Sequence, residues 1–174
     1  MIEAWKRKRA AEGLLAAFRG GERFPALLFW KVTERQVVRS PYEARPRRDR
    51  DELSAYQGQS ILQQAADAGT RKVSFTGSDP ILWDQFGELL RFAREVGLLT
   101  EVTAWGPLIV KKADDLAQAG RVTIPLFGGQ RVHDAIVVGN RVYEQAIAGL
   151  RALRARDAAV TLEFAPTRKN VSEI

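Results

Sequence analysis

The sequence predicts an α/β protein: an open parallel sheet of about five strands with helices on its outer face. Three observations lead there. Strand-like and helix-like stretches alternate from about residue 26 onward. A helix–Gly–strand–Gly unit recurs, with its glycines at Gly69 and Gly77, Gly97 and Gly106, and Gly120 and Gly128. Each strand-like run is followed by a helical crossover, so successive strands run parallel with right-handed connections and neighbour one another in the order 1-2-3-4-5.

Residues 1–25 read as an N-terminal helix (1–19) and a basic lead-in, and residues 26–174 as the sheet domain. "ALLFWKVT" (26–33) is a nearly continuous apolar run, the pattern of a strand buried on both faces. "DELSAYQGQSILQQAADAG" then reads as a helix that enters through its acidic residues and stops at Gly69. "RKVSFTG" (71–77) is the second strand. The helix after it, "DPILWDQFGELLRFAREVG", carries Leu82, Phe86, Leu89, Leu90, Ala93 and Val96 on one face and ends at Gly97. "LLTEVTAWG" is the third strand, followed by a shorter helix in "LIVKKADDLAQAG". "RVTIPLFGG" is the fourth, followed by "YEQAIAGLRALRARD", where Tyr143, Ala146, Ile147, Leu150 and Leu153 keep helical spacing. "AVTLEFAP" (159–166) is the fifth.

Composition sets limits on the chemistry. The chain has no cysteine, which excludes disulfides, zinc–thiolate sites, cysteine nucleophiles and cysteine-held iron–sulfur clusters. No apolar run approaches the length of a membrane span and no signal-peptide pattern is present, so a soluble cytoplasmic protein is expected. The net charge of +6 is uneven. Residues 1–50 carry 13 Lys/Arg against 6 Asp/Glu, and residues 51–174 carry 14 against 15. Basic segments of this kind track acidic peptides or a nucleic-acid backbone. No nucleic-acid-binding module accompanies the charge, so nucleic acid is not an expected partner. A solvated helix face and loop is the alternative reading.

Parallel α/β sheets bind ligands at the C-terminal ends of their strands. Here those ends are Thr33–Arg39, Thr76–Pro80, Thr103–Gly106, Leu126–Gly129 and Phe164–Thr167, and the unusual polar and glycine-rich loops all fall on that edge. With the edge located, the chain resembles the radical S-adenosylmethionine (SAM) superfamily, in its peptide-maturase-like branch. Members hold a [4Fe–4S] cluster with three cysteines, spaced C-x3-C-x2-C, in the loop after strand 1. "VTERQVVRSPYEAR" aligns with that loop and places Gln36, Ser40 and Glu43 at the cysteine positions with the intervals kept. "VSFTGSDP" is similar to the family's "SFTGGEP" turn, which holds the SAM amino group. Gly77 and Pro80 are retained, while Ser78 replaces a glycine and Asp79 a glutamate. "VTAWGPLI" stands where "TTNGTLI" is usual, with Trp105 in the asparagine place, and "TIPLFGG", "VHDAIV" and "VTLEFAPTRKNV" continue the likeness.

The resemblance implies a partial TIM-type barrel, shortened here because the family's sixth βα unit is not in the sequence. It also implies that Thr76, Gly77, Ser78, Asp79, Pro80 and Trp105 are the residues left to contact SAM, or an analogue, weakly. The departures decide the expected function. Gln, Ser and Glu are hard donors and do not substitute for three thiolates, so no iron–sulfur cluster and no other metal is expected. The first expectation is a pseudoenzyme, a cluster-less module that binds a peptide, a SAM-like nucleoside or an active radical SAM relative. Arg39, Arg45, Arg47 and Arg48, around the vacated loop, are the partner-binding candidates for an acidic peptide. The other class is an enzyme with repurposed non-radical chemistry on the same edge, or an altered or shortened form of a radical SAM peptide-modifying enzyme. No catalytic residue is assigned. His133–Asp134 has the form of an oriented general base without a reacting partner, and relatives carry "HD" at the same place. Asp79 has a second reading as an acid at a helix start, and Trp30 a reading as core. The strand-5 edge predicts association, with a homodimer as the first choice.

Overall fold

The structure is a computed structural model that describes residues 25–40 and 52–173. The helix expected over residues 1–19 lies outside them, as do Glu43, Arg45, Arg47 and Arg48. Five strands form one parallel sheet: β1 (Leu27–Trp30), β2 (Lys72–Phe75), β3 (Leu99–Thr103), β4 (Arg121–Pro125) and β5 (Val160–Glu163). They are hydrogen-bonded in the order β1-β2-β3-β4-β5, with β1 and β5 at the edges. The helices are α1 (Ala55–Asp67), α2 (Phe86–Glu95), α3 (Gly106–Ile109), α4 (Ala113–Leu116), α5 (Gln130–Ile136) and α6 (Val142–Arg154).

The register explains which side chains face the helices. Phe75, Val102, Val122 and Val160 stand side by side across the sheet. Together with Val73 and Ile124 they pack on Leu62 of α1, Leu89 and Leu90 of α2, Leu116 of α4 and Leu153 of α6. Apart from the half-buried Val160, each of these side chains is fully withdrawn from water and contributes about 1.5–3 kcal/mol. The other face is polar at its centre. Thr103, Thr123 and Thr161 form one row, and Lys72 pairs with Glu101 at 2.6 Å.

Several local expectations are corrected. β1 is not buried on both faces: it is an edge strand, and Phe29, 68% exposed, lies on the face away from the helices. α1 does not start at its acidic residues. Ser54 is its N-cap, in a reciprocal capping box with Gln57, while Glu52 is drawn back to the loop after β1. The third crossover is broken rather than one helix, because Leu108 within α3 adopts a left-handed conformation (φ 72°) and α4 starts afresh at Ala113. A short helix, α5, also precedes α6, in a segment that had no predicted element.

Gly106 shows what the broken crossover permits. A Cβ there would lie 2.6 Å from the Ala146 amide nitrogen and 2.8 Å from the Val142 carbonyl oxygen. Only glycine lets the start of α3 lie directly on the backbone of α6. Ile109 uses the same approach, pressing against Gly149.

Candidate functional site

The loop after β1 is held by its own polar contacts. The Thr33 hydroxyl donates to Glu52 Oε1 and accepts from the Arg35 amide at 3.0 Å. The Arg35 guanidinium donates to Glu52 Oε2 at 2.7 Å and to the Leu82 carbonyl at 3.0 Å. The Asp79 amide donates to the Arg35 carbonyl at 3.2 Å, which ties this loop to the turn after β2. Further on, Val38 is buried in a second apolar cluster with Trp105, Phe127, Ile136, Val137 and Val142. Arg39 and Val138 exchange two backbone hydrogen bonds, at 3.0 and 2.8 Å, and so fix the end of the loop against the α5–α6 connection. Of the positions aligned with cluster ligands, Gln36 is half-buried and Ser40 is 9% exposed. Among the described residues no group of three or more His, Asp or Glu is placed to hold a metal ion.

The turn after β2 has a different character. Gly77 has φ +89°, a region disfavoured for residues with a Cβ, and a Cβ there would meet the Lys31 side chain at 3.0 Å. Ser78 and Asp79 follow, each about 1% exposed. The Ser78 hydroxyl has no hydrogen-bond partner among the described residues. An orphaned buried hydroxyl costs on the order of 1–3 kcal/mol, and such groups recur where a ligand completes the bonding. Asp79 begins the 3-10 turn Pro80–Leu82, but its carboxylate does not cap it, so the reading as a helix-start acid gains no hydrogen bond. Thr76 donates its amide to the Trp30 carbonyl at 3.1 Å.

The tryptophans divide between the two cores. Trp83 is buried in the main core, and Trp30 packs against it with its ring 6.0 Å from Phe75. Trp105, expected at the SAM edge, is buried with its ring 6.2 Å from Phe127.

His133 is fully buried, and its Nδ1 accepts the Phe127 amide proton at 3.1 Å. That bond puts the imidazole proton on Nε2, which has no acceptor among the described residues. Burial lowers the His133 pKa below 6.5, and the nearby Asp134 charge opposes the shift. Asp134 does not orient the imidazole. Its Oδ1 accepts the Tyr143 amide at 2.9 Å, at the start of α6. The two residues therefore shape the loop after β4 and the entry to α6, and their arrangement gives no support to the general-base reading.

Asn170 was not singled out from the sequence, and it ties the same region together from the other side. It is fully buried, and its Nδ2 donates to the Phe127 and Ala165 carbonyls at 3.1 and 3.0 Å. Its Oδ1 accepts from the Thr167 amide and hydroxyl at 2.6 and 2.9 Å. The available signal was the Thr-x-x-Asn spacing in "PTRKN", which permits a side-chain-closed turn.

The sequence profile of the Radical SAM superfamily matches residues 33–164. The PqqA peptide cyclase of Gluconobacter oxydans (strain 621H) is 31% identical over 157 residues, covering 86% of this chain and 44% of that protein. Streptococcus suis SuiB bound to S-adenosylmethionine superposes with a TM-score of 0.76 at 18% identity, over 99% of this chain and 42% of SuiB. SuiB bound to its precursor peptide SuiA gives 0.75 at 18% identity, over 99% of this chain and 40% of SuiB. The chain thus spans less than half the length of these relatives. At 18% identity the structural likeness speaks to the fold alone.

Proposed function

The chain belongs to the radical SAM superfamily, and from that premise we propose that it acts as a cluster-less binding module of this fold rather than as a radical enzyme. The observation that carries the reading is the donor set after β1. With no cysteine anywhere in the chain, the loop offers Gln36, Ser40 and Glu43 where the fold's cluster would need three thiolates. These residues do not fit a [4Fe–4S] cluster. Contacts of its own (Arg35 on Glu52, Val38 in the apolar cluster, Arg39 on Val138) do the ordering of the loop.

What the module binds is proposed from the rest of the edge. A peptide is the first choice, because one relative is by name a peptide cyclase and another was solved with its precursor peptide. An active relative or a second copy, meeting it along β5, is the accompanying proposal. A SAM-like nucleoside is the second reading, favoured by the orphaned Ser78 hydroxyl beside Asp79 and Gly77. Of these the hydroxyl and carboxylate suit an ammonium group, and the chain has no cysteine to hold a cluster iron against the methionine end, so weak binding is expected. A non-radical enzyme gains nothing from the edge, where His133 and Asp134 are committed to backbone amides.

Mass spectrometry of whatever co-purifies with the chain, protein and small molecule alike, tests this directly. Peptides or an intact partner are expected. Anaerobic incubation with iron and sulfide, followed by desalting, is expected to leave no stoichiometric cluster absorbance. A stoichiometric cluster on the clean protein would overturn the reading.

A further inference from the structure

A groove on the C-terminal edge combines an apolar floor with cationic walls. Its volume is about 620 Å³, within the roughly 300–1,000 Å³ range of ligand-holding clefts. Ala135, Ile136 and Val138 form the floor, and Val138 is 64% exposed. Arg39, Arg168 and Lys169 stand around it. A second depression of about 380 Å³ shares Ala135, Ile136 and Lys169 and adds Arg131. Among the described residues neither lining contains an acidic side chain.

The four cations are not consumed by the fold. None of their side chains forms a salt bridge among the described residues. Two described acids of these loops are engaged elsewhere, Asp134 on the Tyr143 amide and Glu173 on the Gly129 amide. The backbones that carry three of these cations are held in place. Arg39 is fixed by its two hydrogen bonds to Val138. Arg168 and Lys169 lie in the turn that Asn170 closes, and the Lys169 amide donates to the Thr167 hydroxyl at 3.2 Å. Held backbones need no ordering when a ligand arrives, so the entropic cost is confined to the long side chains, about 0.5–1.5 kcal/mol for each one immobilised.

From this arrangement we infer that the groove takes an acidic peptide segment: an apolar side chain on the Ala135–Ile136–Val138 floor, flanked by carboxylates that meet Arg39, Arg131, Arg168 and Lys169. The inference rests on the peptide-binding reading above and deepens it. Carboxylates supply the charge complementarity, and the apolar floor selects a peptide over a polyphosphate. Among the described residues the depressions are lined by aliphatic and cationic side chains rather than by the aromatic rings on which single-stranded nucleic acid stacks.

The test is selection of random linear peptides displayed on phage against three forms of the full chain: unaltered, Arg168→Glu/Lys169→Glu, and Arg154→Glu as a remote control. The unaltered chain and the control should enrich Leu, Ile, Val or Phe flanked by Asp or Glu. The double variant should invert the flanking preference to Lys or Arg, which a misfolded protein cannot do. In fluorescence anisotropy, a labelled peptide of Leu flanked by Glu should bind at least tenfold more tightly than its Gln counterpart. Enrichment of peptides whose charge is indifferent to the double variant would overturn the groove and leave the peptide-binding reading standing. Enrichment of no peptide class would sink both. Complete displacement of the Glu peptide by a thymidine oligonucleotide that binds more tightly than it does would reject the peptide in favour of nucleic acid.

Discussion

Replacing Asn170 with alanine tests whether the end of the chain is a structural part of the candidate edge. The substitution deletes four hydrogen bonds: one to the Phe127 carbonyl, which joins the turn after β5 to the loop after β4, and three to Thr167 and Ala165 within that turn. Thr167 is half-buried, so water replaces part of what its amide and hydroxyl lose. The carbonyl of Phe127 belongs to a buried residue and loses the Asn170 donor. One unsatisfied buried carbonyl at roughly 1–3 kcal/mol, with the net loss of the other bonds near 1 kcal/mol, makes the expected cost about 3 kcal/mol. Urea denaturation followed by tryptophan fluorescence measures it, since Trp105 lies in the cluster that Phe127 completes. Asn170→Asp adds a second arm. It keeps the acceptor for Thr167 and sets a carboxylate against the Phe127 and Ala165 carbonyls, so its folded pKa rises above the usual value of about 4. An acid with a raised folded pKa destabilises the fold at neutral pH and recovers as falling pH protonates it. The deficit of Asn170→Asp should therefore shrink between pH 7 and pH 5, while that of Asn170→Ala stays constant. An alanine variant within about 0.5 kcal/mol of the unaltered chain would refute the reasoning.

Three further outcomes follow from the same contacts. His133, with its folded pKa below 6.5, is neutral in both states above that value. Below it the unfolded chain takes up a proton that the folded chain refuses. Stability should thus fall as pH drops below 6.5, with a slope of up to about 1.4 kcal/mol per pH unit from this one group. His133→Asn should flatten that part of the profile in urea melts, and an unchanged profile would contradict the assignment. Gly106→Ala should cost about 1–3 kcal/mol by pushing α6 off the start of α3, and thermal melts that match the unaltered chain would show that the contact yields freely. A double-mutant cycle on Arg35 and Glu52 should give only about 0.2–1 kcal/mol of coupling, because the Arg35 side chain is 53% exposed.

The sheet order and the position of the edge were legible in the sequence because βα repetition leaves few topologies open. Apolar spacing in "FGELLRFARE" likewise identified the buried face of α2, where Phe86, Leu89, Leu90 and Ala93 lie inside. What escaped depended on contacts between segments distant in sequence. "ALLFWKVT" reads the same whether both faces of a strand are covered or one, and Phe29, like Leu99 on the central strand, is exposed because it lies on the face away from the helices. The acids before α1 suggested a dipole contact, yet Glu52 is claimed by Thr33 and Arg35 some 17–19 residues earlier. Trp105 was placed at a strand end by its neighbours, but its burial is decided by Phe127. The groove cations Arg168 and Lys169 had no local mark, since their significance comes from Arg39 and Val138 on the far side of the chain.

The edge at β5 carries the last prediction. Backbone groups of a strand point alternately to either side, and Ala159 and Glu163 direct their carbonyls at β4. Val160 and Leu162 therefore direct theirs away from it, to a side where no described strand stands. Leu162 is 49% exposed beside those open groups, which makes β5 a template for strand addition. We predict that the chain self-associates through β5 as a twofold dimer, the commonest closed arrangement. Leu162→Pro is the diagnostic change. It removes the outward N–H and leaves the bonds to β4 intact, which an edge strand tolerates. Light scattering over a concentration series should give a dimer for the unaltered chain and a monomer for Leu162→Pro, with matching circular dichroism. A Leu162→Pro protein that still dimerises would place the interface elsewhere. An unaltered chain that stays monomeric throughout would reject self-pairing and leave this edge to a different partner.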